Sequence, residues 1–190
     1  MRTVAVVPAA GSAERFGGRK LLTLVDGAPL LDRTIASLLD GGVDQVIVVL
    51  GPGADELQRD VSALSDPRVW PVVNPDPERG MFSSLQVGMA EAEGDAMLVL
   101  PGDMPFVAST TVAALLAGYA QRAAIISPRY NGKRGHPVVL PPALRDEIRA
   151  ADAGLTLHDI LKRHPDLRAD IEVSDRGVVR DVDRVADLTA

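Results

Sequence analysis

The sequence contains no cysteine and few aromatic residues, which make up 3% of its 190 residues. Without cysteine, neither disulfide bonds nor thiolate zinc sites can form. No apolar run approaches the ~20 residues of a membrane-spanning helix, and Met1-Arg2-Thr3 lead into a strand-like run rather than a signal peptide. We therefore expect a cytoplasmic protein that does not act at a membrane.

Basic residues are outnumbered: 20 Lys and Arg stand against 26 Asp and Glu, which gives a net charge of -6. This balance argues against general nucleic-acid binding, because a long phosphate backbone would not be neutralised. Hydrophobic residues make up 46% and charged residues 24%, as is typical of a globular protein. The length predicts one domain over residues 1–190.

The first twenty residues combine a strand-like run with a loop that suits an anionic ligand. The apolar run Val4–Val7 predicts a buried strand, which breaks at Pro8-Ala9-Ala10-Gly11. Small residues let backbone N–H groups approach a ligand closely, and a following helix start adds its positive end. Arg15 and Lys20 follow this loop and suit a polyphosphate. The guanidinium of an arginine can donate two parallel hydrogen bonds to a phosphate, and the ammonium of a lysine binds it as a compact charge. The glycine spacing fits neither the G-x-G-x-x-G fingerprint nor the P-loop.

Strand-like and helix-like segments alternate along the rest of the chain. Strands are predicted at 45–50, 69–73, 96–100, 123–127, 138–140 and 171–173, and helices at 31–39, 57–64, 80–92, 110–119, 142–151 and 157–163. This order predicts an α/β fold: a mostly parallel, doubly wound sheet with helices on both faces, in a Rossmann-like three-layer sandwich. Ligands bind outside the carboxyl ends of such strands. The unusual sequences PAAG, NPDPERGMFSSL and PGDMP all follow predicted strands, so we expect them to converge on one crevice.

Asp103 is the strongest candidate for a metal ligand. It follows the apolar run 96–100 and lies between Gly102 and Pro105, which predicts a rigid turn at the end of a strand. A carboxylate there can hold Mg²⁺ that bridges phosphates, since Mg²⁺ usually takes one or two carboxylates plus phosphate oxygens and water. The alternative is a turn aspartate that caps the helix near Thr110.

Several of these segments resemble one known family. The pattern AAG-x-x-x-R-x-G-x-x-K, which ends at Lys20, resembles the signature of the MobA-like nucleotidyltransferases. This group includes the molybdenum-cofactor cytidylyl- and guanylyltransferases, with sugar-phosphate nucleotidyltransferases as wider relatives. PGDMP resembles the family's metal-binding motif. Asp181-Val182-Asp183 resembles its closing motif, although the match is partial because it departs at Arg184-Val185-Ala186.

The resemblance implies a metal site formed by Asp103 and Asp183. Asp181 and Asp183 would lie on the same side of a strand, because side chains two residues apart share a face. Either one could therefore reach the ion, and we choose Asp183, which matches the second acidic position of the motif. A solvated acidic segment is the alternative.

Other segments resemble the family on its two substrate sides. GMFSSL, at 80–85, resembles a stretch of the cytidylyltransferase branch, where Ser83 and Ser84 would reach the base or ribose; the alternative is that one serine caps the helix. The GHP run with Gly135 and His136, and the D-x-G segment with Asp152, resemble acceptor-side segments. An exposed loop histidine and a simple helix stop are the alternatives there.

The resemblance implies transfer of a nucleotidyl group from a nucleoside triphosphate to a phosphorylated acceptor, with release of pyrophosphate. Arg15, Lys20 and Asp103 would be the catalytic residues. The nucleotide would be bound by Ala9, Ala10, Gly11, Arg15, Lys20, Ser83, Ser84 and Gly102. The acceptor phosphate, with a second pKa of about 6, is already largely ionised near neutral pH, so no protein base is required.

The AAG sequence and GMFSSL are more similar to the cytidylyltransferase branch than to the guanylyltransferases. The expected partners are therefore CTP, Mg²⁺ and molybdenum-bearing molybdopterin, with a molybdoenzyme as client. Three alternatives remain. The protein could be a guanylyl- or sugar-phosphate nucleotidyltransferase, or an NAD(P)H-dependent oxidoreductase of a small aromatic pigment, against which the missing G-x-G-x-x-G argues. It could also be a nucleotide sensor or cofactor-insertion chaperone, against which the pair Lys20 and Asp103 argues.

Overall fold

The computed structural model describes residues 1–11, 19–152 and 154–188. The strands are β1 (Thr3–Ala9), β2 (Leu24–Val25), β3 (Ala28–Pro29), β4 (Gln45–Leu50), β5 (Val69–Val73), β6 (Ala96–Val99), β7 (Ile125–Tyr130), β8 (Lys133–Arg134), β9 (Val138–Leu140) and β10 (Arg168–Glu172). The α-helices are α1 (Leu30–Asp40), α2 (Asp55–Asp60), α3 (Met81–Glu91), α4 (Ser109–Gln121), α5 (Ala143–Ala150) and α6 (Leu157–Lys162). Short 3-10 helices lie at Lys20–Leu22, Ser62–Ser65, Pro77–Arg79, Pro165–Leu167, Arg176–Val179 and Val185–Leu188.

Eight of the strands form one sheet in the order β10-β7-β9-β6-β1-β4-β5, with β8 paired to β7. Strands β1, β4, β5 and β6 run parallel, as do β7 and β10, and β9 lies antiparallel between β6 and β7. The predicted fold, a mostly parallel sheet in an α/β three-layer sandwich, is therefore confirmed. The carboxyl ends of the parallel strands lie at one edge of the sheet, where ligands of this fold bind.

The central strand β1 is buried along its whole length, because helices cover both faces of the sheet. Its side chains alternate between two cores. Ala5 and Val7 pack in the core that contains α1 and α4, whereas Val4 and Val6 pack in the core that contains α3, α5 and α6. The apolar run that predicted this strand is thus the signature of burial on two faces. In the described ranges, no helix has the length and apolar character needed to cross a membrane.

The main departure from the predicted elements is a small hairpin of β2 and β3 ahead of α1. Asp26 and Gly27 form its turn with φ values of 48° and 84°, as a two-residue hairpin requires. An Asp-Gly pair between apolar residues is the sequence signal for such a turn, but the predicted elements did not include this hairpin. Strands β7 and β10 are also shifted from the predicted 123–127 and 171–173 to 125–130 and 168–172.

Candidate active site

The three unusual sequences converge on one crevice, as the sequence predicted. A cavity of about 440 Å³ opens at the carboxyl ends of β1 and β6, and its lining combines all three segments. Ala9, Ala10 and Gly11 come from the first segment, Pro77, Gly80 and Ser84 from the second, and Pro101 and Asp103 from the third. Lys20 also lines this cavity.

Lys20 joins the beginning, the middle and the end of the chain. Its Nζ donates a hydrogen bond to Asp103 Oδ2 at 2.8 Å and a second to Asp183 Oδ1 at 3.1 Å. The Lys20 side chain is only 13% exposed, against 28% for Asp103 and 57% for Asp183. One ammonium group is thus held between two carboxylates, of which Asp103 lines the crevice.

The two carboxylates keep Lys20 charged. Burial opposes the charge on Lys20, but the hydrogen bonds and attraction of Asp103 and Asp183 outweigh it, so its pKa is raised above the ordinary value. The same geometry means that another cation near this position would be within reach of both carboxylates.

Asp103 is fixed by the close packing of its loop on the end of β1. The N–H of Gly102 donates to the Pro8 carbonyl at 2.9 Å, and Thr34 Oγ1 donates to the Gly102 carbonyl at 3.1 Å. A Cβ on residue 102 would lie 3.1 Å from the Ala9 Cβ and 3.2 Å from the Pro8 oxygen. The close approach that Gly102 permits therefore positions the Asp103 turn over β1.

The start of α4, where Asp103 could have bound, is held by Asp175 instead. Its Oδ2 accepts hydrogen bonds from the Ala108 N–H and from Thr111 Oγ1, both at 2.8 Å. Asp103 points instead to Lys20. The carboxylate of Asp103 is therefore available for a ligand-facing role.

Asp183 is brought to Lys20 by backbone pairing. The Val182 N–H donates to the Asp103 carbonyl at 3.0 Å, and Val182 itself is fully buried. Asp187 Oδ2 accepts from the N–H groups of Asp183 and Arg184, at 2.9 and 2.7 Å. Of the two aspartates that the sequence offered here, Asp183 is the one whose side chain reaches Lys20.

Ser83 and Ser84 belong to a buried hydrogen-bond network at the start of α3. Asn74, at the end of β5, donates through Nδ2 to Ser83 Oγ at 2.8 Å and to Ser84 Oγ at 3.0 Å. Ser83 Oγ in turn donates to the Gly80 carbonyl at 2.8 Å, so the buried hydroxyl of Ser83 has both a donor and an acceptor within the protein. Ser84 differs, because it also lines the crevice with Lys20 and Asp103.

Asn74 was not identified from the sequence, although it had a usable signal. It directly follows β5, and it is buried, with an exposure of only 2%. A polar residue directly after a strand of a parallel sheet lies at the edge where ligands bind.

Gly135 and His136, which the resemblance assigned to the acceptor side, lie in a second cavity of about 550 Å³. His136 Nδ1 lies 3.2 Å from the Val99 carbonyl, and its backbone N–H donates to the Val178 carbonyl at 2.8 Å. Burial lowers the pKa of His136 despite the Val99 contact and the nearby Asp103 and Asp181. Asp152 is exposed and is not among the residues that line this cavity, whereas Gly154 and Leu155 are.

The two cavities share a wall. Pro8, Gly80, Met81 and Pro101 line both the crevice and the second cavity. On its other side the crevice adjoins a third cavity of about 620 Å³, which shares Ala9, Ala10 and Gly11 and extends to Gly51-Pro52-Gly53 after β4. The candidate residue Arg15 lies outside the described residues.

Residues 5–168 match the family model described as the MobA-like NTP transferase domain. Among curated relatives, the nicotine blue oxidoreductase of Paenarthrobacter nicotinovorans is 33% identical over 96% of this chain and 93% of its own length. The molybdenum cofactor guanylyltransferase of Shewanella amazonensis is 28% identical over 79% of this chain and 74% of its own.

Two solved structures superimpose on almost the whole chain. The crystal structure of Rv0371c from Mycobacterium tuberculosis H37Rv superimposes with a TM-score of 0.81 at 29% identity, over 98% of this chain and 95% of that one. A complex of Rv0371c with manganese also matches, with a TM-score of 0.77 at 27% identity, over 98% and 96% of the two chains.

Proposed function

Because the chain belongs to the MobA-like NTP transferase family, we propose that it transfers CMP from CTP to a phosphorylated acceptor, with molybdenum-bearing molybdopterin as that acceptor. The observation that carries the proposal is the contact of Lys20 with both Asp103 and Asp183. It joins three segments that are far apart in sequence at the ligand edge of the sheet. A nucleotide phosphate and its metal would bind at this point.

The residues present fit a divalent metal ion. Asp103 and Asp183 offer hard carboxylate oxygens, and both already contact one cationic group. Within the described ranges, no cluster of three or more metal-ligating side chains occurs, so the protein would provide two carboxylates and the substrates the remaining ligands, as Mg²⁺ prefers. A divalent ion there would neutralise charge on the phosphates. The manganese complex of Rv0371c supports a divalent metal.

The protein's own contribution would be positioning and charge neutralisation. An oxygen of the acceptor phosphate attacks the α-phosphorus of the triphosphate, the bond between this phosphorus and the bridging oxygen to the β-phosphate breaks, and pyrophosphate leaves. Lys20 and Arg15 would hold the triphosphate, and the N–H groups of Ala9, Ala10 and Gly11 would line it. Groups that are ordered before the reaction lower the barrier because they need no rearrangement.

The choice of CTP depends on the space beside the loop after β1. Ala10 is buried, and a Cβ at Gly51 would lie 3.3 Å from the Ala10 carbonyl oxygen. The loops after β1 and β4 therefore pack closely where they line the 620 Å³ cavity. A close wall favours a pyrimidine over the larger purine. The guanylyltransferase relative makes GTP the competing substrate. Ser84 would contact the ribose or base, while Ser83 and Asn74 would hold it in place.

Pyrophosphate release with each nucleoside triphosphate and molybdenum-bearing molybdopterin tests the proposal. We expect CTP to be preferred, the activity to require a divalent metal, and Asp103→Asn to lower turnover by at least about a hundredfold. Asp146→Asn, which removes an exposed carboxylate from α5, is the matched control and should keep wild-type activity. A preference for GTP would make the protein a guanylyltransferase. Full activity of Asp103→Asn would remove that residue from the mechanism.

A second candidate function is reduction of a small aromatic pigment with NAD(P)H. It is favoured by the nicotine blue oxidoreductase, which matches over almost the whole chain. Thermal-shift measurements with CTP and with NADPH separate the two functions, since a ligand at 100 times its Kd adds about 2.7 kcal/mol of apparent stability. Stabilisation by CTP that needs metal and Asp103 supports transfer. Stabilisation by NADPH alone, unchanged in Asp103→Asn, supports the reductase.

A further inference from the structure

The segment that brings Asp183 to Lys20 has no regular secondary structure of its own. Residues 180–183 belong to neither a helix nor a strand, and they lie between the short 3-10 helices Arg176–Val179 and Val185–Leu188. No helix or sheet therefore fixes the position of the Asp183 carboxylate. It depends on the contacts that this segment makes with the rest of the protein.

Arg180 holds the turn that contains Asp183. Its guanidinium donates a hydrogen bond to the Asp187 carbonyl. The carboxylate of Asp187 in turn accepts hydrogen bonds from the N–H groups of Asp183 and Arg184. Asp187 thus connects the Arg180 side chain to the backbone of Asp183, and the loss of Arg180 would release one side of this turn.

The same guanidinium lies against the loop that carries Asp103. Its central carbon is 3.7 Å from the centre of the Phe106 ring, a distance at which a cation and an aromatic face attract each other. Phe106 follows Asp103 by three residues in that loop. Arg180 therefore contacts both segments that supply a carboxylate, one through Phe106 and the other through Asp187.

Arginine can make both contacts of residue 180 at once, whereas lysine cannot make them equally well. The guanidinium is planar, so it can stack on a ring with its face and still donate hydrogen bonds from its edge. The ammonium of a lysine is a compact charge without such a face. Arg180→Lys should therefore keep only part of what the arginine does.

We propose that Arg180 is a positioning residue for the divalent metal: it fixes Asp183 relative to Asp103, so that both carboxylates can bind one ion. The inference rests on the metal site of the proposed function, and it does not depend on which nucleotide or acceptor is used. Arg180 lines neither the crevice nor either of the two neighbouring cavities. Its effect on the metal must therefore pass through the aspartates that it holds.

Charge and positioning predict opposite effects for the loss of Arg180. Removing a cation near two carboxylates should by itself tighten the binding of a divalent ion, because like charges repel. If Arg180 holds Asp183 in place, the same substitution should weaken the binding, because one of the two carboxylates is then misplaced. The sign of the change in manganese affinity therefore separates the two effects.

Electron paramagnetic resonance of free manganese gives this sign for the nucleotide-free protein. Arg180→Met should raise the Kd for manganese about tenfold, as is usual when a residue that supports a metal ligand is lost, and Arg180→Lys should restore part of the affinity. Arg176→Met, at an exposed arginine of the preceding 3-10 helix, makes the same change in net charge and should not raise the Kd. A Kd for Arg180→Met at or below that of the wild type overturns the proposal.

A double-mutant cycle shows whether Arg180 acts through Asp183. Once Asp183 is misplaced, its own removal should matter little, so Asp183→Asn should weaken manganese binding much less in the Arg180→Met protein than in the wild type. Asp103→Asn should still weaken binding in both. Additive losses for Arg180 and Asp183 would mean that the arginine supports the site only in a general way, and they overturn the proposal.

Amide hydrogen exchange tests the positioning without metal or substrate. In Arg180→Met the N–H groups of Asp183 and Arg184 should exchange at least about tenfold faster, because the turn that protects them opens locally. The Gly177 N–H donates to Asp175 Oδ1 at 2.8 Å and should keep its exchange rate. Unchanged exchange at Asp183 overturns the proposal.

Pyrophosphate release by the wild type separates this proposal from the transferase function. If exchange and manganese binding respond to Arg180→Met as expected but no nucleoside triphosphate yields pyrophosphate, the transferase proposal fails and the role of Arg180 stands. If metal-dependent transfer occurs but Arg180→Met binds manganese as tightly as the wild type, the reverse holds.

Discussion

Replacing Lys20 by methionine should change metal binding in opposite directions without and with nucleotide. In the nucleotide-free protein, the Lys20 ammonium contacts the two carboxylates that would hold the metal. A metal ion that enters must displace it. In the complex with nucleotide, the same ammonium would be free to bind the triphosphate. In the nucleotide-free protein, Lys20→Met thus removes a group that competes with the metal for the two carboxylates. In the complex with nucleotide, it removes a group that would bind the triphosphate.

The size of the first effect follows from the two contacts. The 2.8 Å bond to Asp103 joins two mostly shielded side chains, and hydrogen bonds to charged groups contribute about 1.5 to 3 kcal/mol. The 3.1 Å bond to Asp183 joins Lys20 to a side chain that is 57% exposed, so solvent screening reduces it to about 0.2 to 1 kcal/mol. Because the flexible lysine can partly retreat, we expect manganese to bind about tenfold more tightly to the nucleotide-free variant.

Electron paramagnetic resonance of free manganese measures both states directly. Without nucleotide, Lys20→Met should lower the Kd for manganese about tenfold. With CTP, the variant should bind the manganese–nucleotide pair more weakly than the wild type, and its turnover should fall by at least about a hundredfold. Lys162→Met, at the exposed end of α6, makes the same change in net charge and should alter neither value.

Unchanged or weaker manganese binding by nucleotide-free Lys20→Met would refute this reasoning. It would mean that Asp103 and Asp183 do not form a cation site for which Lys20 competes. The Lys162→Met control then shows whether the long-range loss of positive charge contributes.

Three further predictions concern the neighbours of this site. Asp183→Asn should weaken manganese binding, whereas Asp181→Asn should not; equal losses in the same titration would contradict the assignment. Asn74→Ala leaves two buried serine hydroxyls without their donor and should cost about 2 kcal/mol, seen as a Tm lower by about 4 to 8 °C; an unchanged Tm would argue against the network. Burial lowers the pKa of His136, so the folded protein binds fewer protons than the unfolded chain, and the free energy of unfolding should fall as the pH drops below about 6.5. His136→Asn should reduce this acid sensitivity in denaturant titrations at several pH values, and an identical pH profile would exclude His136 as its source.

The sheet was predictable from the sequence because its strands are apolar runs bounded by turn-forming residues, and the central strands β1, β4 and β6 are buried on both faces. Apolar runs such as 45–50 and 69–73 became β4 and β5 with the same bounds. The crevice was predictable for a related reason: turn-forming residues follow each strand, and the carboxyl ends of parallel strands lie at one edge. Asp103 could therefore be placed before any contact was known.

The partners of these residues could not be derived, since they depend on contacts between distant segments. Nothing in the local sequence says that Asp175, rather than Asp103, binds the start of α4. Nor does it say that the Val182 N–H pairs with the Asp103 carbonyl and so brings Asp183 to Lys20.

The crevice and the second cavity are neighbouring compartments that are separated only by a shared wall. Pro8, Gly80, Met81 and Pro101 face both spaces, so ligands in the two would lie only the width of these side chains apart. A compound that links a nucleotide to a group that fills the second cavity would make the second binding event intramolecular. Effective concentrations for short tethers reach about the millimolar range, so such a compound should inhibit far more strongly than either half alone.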